Sequence, residues 1–331
     1  MENLSHLSTH IRTELSKVIV GQQEVVDQLL IVLVCGGHAL LEGVPGLAKT
    51  LTVKTLARIC GLGFQRVQCT ADLMPADVIG TNVFNLATSS FSLHRGPIFT
   101  DLLLVDEINR TTARTQAALL EAMEERQATI DGVRHSLGHN FTVFATQNPI
   151  EFEGTYPLPE AQLDRFLMKI RIDYPSAEQE AVILKRFEGI SDPHMLDQAP
   201  LDPLEPGLLA AAREEIGRVR VEPALYQYMV SVIRRTRDWA ALSLGASPRA
   251  AIGLFFVARA LAAMDGRDFL IPDDIKAAAP AVLRHRLLLK PEADLEGLSA
   301  DSVIAEVLAT VEVPKDVSRN VPGDGAKDNA K

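Results

Sequence analysis

The sequence predicts an α/β domain, a parallel sheet wrapped by helices and interrupted by β-hairpins, followed by an all-helical domain. Three observations carry this. Short aliphatic runs alternate with helical periodicity through the first half of the chain. Two β-leaning stretches, one centred on Asp131-Gly132, break that alternation. Beyond Tyr174-Pro175 only helical patterns recur. A length of 331 residues fits about two such domains.

The elements follow in order. Residues 22–34 have helical apolar spacing and stop at Gly36-Gly37, a helix-ending pair. Residues 38–42 form a short apolar run ahead of a Gly/Pro turn and predict a buried strand. Residues 49–60 read as a helix closed by Gly61. Residues 64–69 alternate and predict a strand. Residues 102–105 are continuously aliphatic, as in a strand covered on both faces. A helix over 115–125 and a strand over 141–146 complete the rhythm. Residues 83–93, polar around Thr88-Ser89-Ser90, and 127–137 predict the inserted hairpins. Helices follow over 177–187, 206–218, 223–237, 248–264 and 273–287, parted by segments such as Ser191-Asp192-Pro193 and Leu201-Asp202-Pro203. The expected division is an α/β core over 1–175, a helical domain over 176–313, and a polar, disordered tail over 314–331. No internal repeat is visible.

Composition narrows the function. The chain has 43 acidic and 33 basic residues, a formal net charge of −10, which disfavours non-specific nucleic-acid binding. Its three cysteines, Cys35, Cys60 and Cys69, lack CxxC spacing, so they are expected to be buried thiols rather than a disulfide framework or zinc site. The first residues lack the basic start and apolar run of a signal peptide. The most apolar stretch, 29–41, is broken by Gly36-Gly37-His38 and falls short of the roughly 20 residues needed to span a bilayer. A cytoplasmic location is the expectation.

The strongest motif is Gly43-Val44-Pro45-Gly46-Leu47-Ala48-Lys49-Thr50, between a predicted strand and a predicted helix. That context is what a phosphate-binding loop needs: small residues turn backbone N–H groups inward and the helix N-terminus adds positive potential. Lys49 is positioned to reach the β- and γ-phosphates, and the Thr50 hydroxyl to hold Mg²⁺. Ala48 stands where the strict pattern has glycine, and alanine disfavours a left-handed backbone that could weaken binding.

The aliphatic run at 102–105 ends in Asp106-Glu107. An aspartate at that strand end sits beside the phosphate loop and serves the Mg²⁺ shell; the glutamate can polarise an attacking water. This pair argues for hydrolysis. The strand at 141–146 runs into Gln147-Asn148-Pro149, which makes Asn148 a candidate for the attacking water or the γ-phosphate, or a simple turn residue. Arg165, in Leu163-Asp164-Arg165-Phe166, is either a finger that stabilises charge on a transferring phosphoryl group or half of a surface pair with Asp164. Ser247-Pro248-Arg249 reads as a helix start that places Arg249 where a cation needs a compensating anion. His285, between Arg284 and Arg286 in a helical pattern, reads as a packed or capping histidine more readily than a mechanistic one.

In this order the motifs resemble an AAA+ ATPase of the MoxR family, over nearly the whole chain up to the tail. The resemblance rests on the phosphate loop, on Asp72-Leu73-Met74-Pro75-Ala76-Asp77-Val78-Ile79-Gly80, on Gly96-Pro97-Ile98-Phe99 and on Asp106-Glu107-Ile108-Asn109-Arg110. It rests also on Ala145-Thr146-Gln147-Asn148-Pro149 and on the specific run from Glu153 through Tyr156 and Asp164 to Phe166. The resemblance implies an AAA+ core with a helical lid. Asn148 would be sensor 1, Arg165 the arginine finger and Arg249 sensor 2, acting in its own subunit or on a neighbour. Val20 and Gly21, before Gln22, would contact the nucleotide base. It further implies ATP and Mg²⁺ as ligands and a homo-oligomeric ring, commonly a hexamer. The activity implied is chaperone-like remodelling of a protein client, often one with a von Willebrand factor A domain. A nucleic-acid-translocating ring and a chelatase-like motor for metal insertion share the architecture; the acidic balance and the absence of a dedicated nucleic-acid domain disfavour the first. No Asn/Thr-Lys-x-Asp motif supports guanine recognition.

Overall fold

The computed structural model describes residues 1–87, 89–148, 155–188 and 199–314. Thr88, Pro149, Glu153, Gly154, the predicted linker at 191–193 and residues 315–331 of the predicted tail lie outside them.

The chain opens with a helix that the sequence analysis passed over, α1 (Glu2–Ser16). Its buried Leu4, Leu7, Ile11 and Leu15 recur at helical spacing. Then come α2 (Gln23–Val34), β1 (Ala39–Glu42), α3 (Lys49–Cys60) and β2 (Phe64–Gln68). A short α4 (Pro75–Ile79) leads into the hairpin β3 (Gly80–Asn85) and β4 (Ser90–Arg95), slightly longer than predicted. At its base Gly80 and Gly96 cross so closely that a Cβ on Gly96 would lie 2.3 Å from the Val78 carbonyl oxygen.

The core strand β5 (Leu102–Asp106) is buried along its whole length. A 3-10 turn (Ile108–Arg110) and α5 (Ala113–Glu125) follow. The second hairpin, β6 (Gln127–Ile130) and β7 (Val133–Ser136), turns on Asp131 and Gly132 with φ of 49° and 81°. That is the doubly left-handed turn expected of Asp-Gly. After β8 (Thr142–Gln147) and the short α6 (Glu160–Leu163) comes β9 (Met168–Arg171). This strand was not predicted, although buried Met168 and Ile170 alternate with Lys169 and Arg171.

The five strands form one parallel sheet in the order β2-β5-β8-β1-β9. The carboxyl ends of β5, β8 and β1 are therefore neighbours, the place where open α/β sheets bind ligands. The sheet is held by its aliphatic interior. Leu102, Leu103 and Leu104 are fully buried, and each such side chain contributes about 1.5–3 kcal/mol against exposure.

The rest is mostly helical: α7 (Ala177–Arg186), α8 (Leu208–Arg218), α9 (Pro223–Arg237), α10 (Pro248–Met264), α11 (Pro272–Leu283), α12 (Pro291–Leu295) and α13 (Ala300–Thr310). One small antiparallel sheet, β10 (Leu242–Leu244) with β11 (Leu288–Leu289), adds to the helical pattern the sequence predicts. The helix expected to run to residue 287 ends at Leu283, so His285 lies in the turn beyond it. The Glu215 carboxylate of α8 accepts from the backbone N–H groups of Asn3 and Leu4, tying the helical part to the start of α1.

Two buried histidines stitch these layers together. The Val143 N–H donates to His38 Nδ1 (2.9 Å), so the His38 proton sits on Nε2 and is donated to the Met123 carbonyl (3.0 Å). Burial lowers the His38 pKa to about 4. His285 Nε2 bonds the Phe166 carbonyl (2.9 Å), and burial beside Arg286 holds its pKa well below the usual value. It is a packing residue. In the unfolded chain both would titrate near about 6.5. Between the two values the unfolded state binds more protons, so stability falls as the pH drops from about 6.5 toward about 4. His38 alone should cost about 1.4 kcal/mol per pH unit across that window. Denaturant unfolding at about pH 5 and about pH 7 tests this, since the loss should shrink in His38→Gln. An equal loss in wild type and variant would remove His38 as the cause.

Candidate functional site

The loop after β1 and the ends of β5 and β8 enclose a cavity of about 380 Å³. Pro45 to Leu51, Asp106, Glu107, Thr146 and Asn148 line it. Sequence-predicted residues scattered over more than a hundred positions are thus brought to one place. Gly46 and Ala48 take left-handed backbone with φ of 86° and 55°. Ala48 therefore adopts the conformation that alanine disfavours, at a cost of about 1–2 kcal/mol. Its carbonyl begins the hydrogen bonding of α3. Gly43 has no room for a side chain, since a Cβ there would lie 2.6 Å from the Ile172 carbonyl oxygen. Gly43 and Val44 sit at the base of the loop, outside the cavity lining.

Lys49 starts α3, and its ammonium donates to the Gly43 carbonyl, which folds the side chain back under the loop. Burial lowers its pKa, and the nearby charges of Asp106 and Glu107 offset part of that effect. Asp106 is only 7% exposed. Its Oδ1 accepts from the Thr146 hydroxyl (3.2 Å) and its Oδ2 pairs with Arg66 Nε (2.6 Å). The Thr146 hydroxyl in turn accepts from the Glu107 N–H (2.9 Å). Glu107 has φ 56°, a left-handed position rare outside glycine and concentrated at functional sites. Its carboxylate takes Gln68 Nε2 (2.8 Å) and Arg110 Nε (3.1 Å). Val20 and Gly21 do not line this cavity; the following Gln22 reaches the Leu47 carbonyl (3.5 Å), and Gly21 lies against the Gln179 side chain of α7.

Arg165 and Arg249 do not line that cavity either. They meet elsewhere, both lining a second cavity of about 430 Å³. Glu124 of α5 holds both: Oε2 pairs with Arg165 (3.1 Å) and Oε1 with Arg249. Glu124 is the compensating anion that the first-turn position of Arg249 calls for. The pair considered between Arg165 and Asp164 is absent. Asp164 instead accepts from Arg286 Nε (2.7 Å) and from the Ser247 hydroxyl (2.9 Å). Arg286 is buried and also donates to the carbonyls of Phe166 (2.7 Å) and Leu167 (3.2 Å). The backbone around Arg165 is thereby fastened to the helical part, while the Arg165 side chain stays partly exposed beside Glu124.

Comparison with known proteins gives the family of the chain. Residues 38–168 match the model of the ATPase family associated with various cellular activities (AAA), and residues 234–307 that of the AAA lid domain. Chaperone MoxR1 of Mycobacterium tuberculosis is 44% identical over 91% of this chain and 81% of its own length. The chain belongs to the MoxR family of AAA+ ATPases. A second relative, the uncharacterized protein YeaC of Bacillus subtilis, is 42% identical over 95% of this chain and 97% of its own. A solved structure of a candidate ATPase from Cytophaga hutchinsonii superposes with a TM-score of 0.85 at 41% identity, covering 95% of this chain and 98% of that one.

Four residues of this MoxR-family chain that sequence reading missed belong to the two clusters: Arg66, Gln68 and Thr146 at the first, Glu124 at the second. Only Thr146 carried a local signal, lying inside the strand-end motif before Asn148. All three cysteines are free thiols, but only Cys69 is buried; Cys35 and Cys60 are half-buried, short of the burial expected of them. Desolvation pushes each thiol up to about 12, and at Cys69 the charges of Asp106 and Glu107 push the same way. Among the described residues, no helix is long and apolar enough to cross a membrane.

Proposed function

We propose that this MoxR-family chain hydrolyses ATP and uses the cycle to remodel or activate a protein client. The observation that carries the reading is the separation of two complementary clusters. Lys49, Thr50, Asp106, Glu107 and Asn148 converge on one cavity, while Arg165 and Arg249 are paired on another. In the reading, the loop's N–H groups and Lys49 hold the phosphates. Glu107 orients and deprotonates the attacking water, and Asn148 hydrogen-bonds it or the terminal phosphate. Val20 and Gly21 keep their proposed place near the base.

The ligand set fits a divalent cation that arrives with the nucleotide. Asp106 and Thr50 offer hard oxygen donors in the same cavity. Among the described residues no group of three or more His, Cys, Asp or Glu could hold a metal alone, so water and phosphate oxygens would complete the shell. Held by Asp106 and Thr50, Mg²⁺ would supply positive charge to offset that of the phosphates.

Arg165 and Arg249 share one carboxylate, so we assign both to the same phosphate, that of a neighbouring subunit. A finger supplied in trans needs a head-to-tail contact, and repeating it closes a ring; we read that ring as a hexamer. We keep the division into a core over 1–175 and a lid over 176–313, and, as the family resemblance implies, propose a client that carries a von Willebrand factor A domain. Lys49→Ala tests the foundation. It removes the loop's cation, so titration calorimetry with a non-hydrolysable ATP analogue should show binding lost. Wild-type affinity in the variant would overturn the assignment.

A further inference from the structure

The cavity at the phosphate loop contains a second cation that the reading above leaves without a role. Arg66 lies on β2, at the edge of the sheet and beside β5, where the register sets Arg66 against Leu104 and Gln68 against Asp106. The two-residue period of a strand puts Arg66 and Gln68 on one face. Arg66 Nε pairs with Asp106 Oδ2 at 2.6 Å, and its terminal nitrogen donates to Gln68 Oε1 at 3.0 Å. Gln68 passes the contact on, donating to Glu107 at 2.8 Å. One guanidinium is thus bonded to one of the two acids and linked through a single amide to the other. Its side chain is 49% exposed and lines the cavity with Lys49.

We propose that Arg66 is the residue by which this site distinguishes a nucleoside triphosphate from a diphosphate within its own subunit. The inference rests on the phosphate-loop reading. A divalent cation that arrives with the nucleotide and engages Asp106 competes with the guanidinium for the same carboxylate, because two cations on one oxygen repel. Arg66 then needs another anion, and its exposure leaves it free to swing. The terminal phosphate of a triphosphate meets that need, since the phosphate-loop reading puts the attacked phosphorus on the Asp106–Glu107 side of the cavity. A diphosphate lacks that group, so Arg66 stays with Asp106. Its planar fork of donors suits phosphate oxygens, and bonds to a charged acceptor are among the stronger ones.

Calorimetry with a non-hydrolysable ATP analogue and with ADP, each with Mg²⁺, tests this on wild type, Arg66→Ala and Arg66→Gln. Both variants should bind the analogue about tenfold more weakly and keep ADP affinity within about twofold, the scale of one charge-assisted contact. Arg66→Gln retains a polar side chain, and circular dichroism shows which variants are folded; either one folded carries the comparison. Equal changes for both nucleotides, or no change for either, would overturn the proposal and leave Arg66 as a structural partner of Asp106. Lys49→Ala runs alongside. It should lose both nucleotides, and if it binds both normally the phosphate-loop reading itself fails, whatever Arg66 does.

Discussion

Arg165→Ala should lower ATP turnover by about 10³-fold or more, the scale of an arginine finger, while the subunit stays folded and binds ATP. The contrast of magnitudes makes this a sharp result. In the single chain Arg165 has an ion pair with Glu124, and both side chains are about one-third exposed. Losing such a pair costs about 0–1 kcal/mol of stability. The neighbouring backbone is held independently by Arg286 and His285, and the Asp164 carboxylate by Ser247. Stability and ATP affinity should therefore hardly move while hydrolysis collapses. Mixing with Lys49→Ala separates action in trans from action in cis. Each Lys49→Ala subunit keeps its Arg165, and each Arg165→Ala subunit keeps its phosphate loop. Mixed rings, with subunit exchange verified by size-exclusion analysis, should recover part of the activity that neither variant has. No recovery in verified mixed rings, or full turnover by Arg165→Ala alone, would reduce Arg165 to a structural partner of Glu124.

Glu107→Gln should leave ATP binding within about twofold and slow phosphate release by about 10²–10⁴-fold, the usual worth of a general base. The amide keeps the size of the side chain and can still meet Arg110 through its oxygen. It cannot take a proton from water. The left-handed backbone at Glu107 is held by the Thr146 hydroxyl, a contact the substitution does not touch, so misplacement is not an alternative cause. Steady-state phosphate release at the wild-type rate would exclude Glu107 as the base. A slow, ATP-loaded variant also offers a direct route to the client: affinity capture in ATP should retain a protein that Lys49→Ala does not.

These expectations draw on two kinds of information. The phosphate loop, the Asp106-Glu107 pair and Asn148 were legible because each belongs to a contiguous motif whose chemistry is local. A strand must end, a turn must be made of small residues, and the reactive side chain follows directly. The Asp131-Gly132 hairpin was legible for the same reason: left-handed backbone at two successive residues selects those residue types. Two of the elements passed over, α1 and β9, also carried patterns, but the pattern of β9 is only four residues long.

Apart from Thr146, the distant partners of the site residues were not legible. Arg66 meets Asp106 forty positions away because β2 lies beside β5 in the sheet. Glu124 meets Arg249 because the start of α10 comes to rest against the end of α5. A pair between Asp164 and its sequence neighbour Arg165 was one of two open readings; Asp164 went instead to Arg286, 122 positions on. A charged side chain on a helix or strand has no intrinsic preference for one distant opposite charge over another. Its partner is settled by the order of the strands and the docking of the helices, and those are set by the burial of aliphatic surface. The sequence by itself therefore determined which chemistry this protein carries, and the tertiary structure decided which residues hold that chemistry in place.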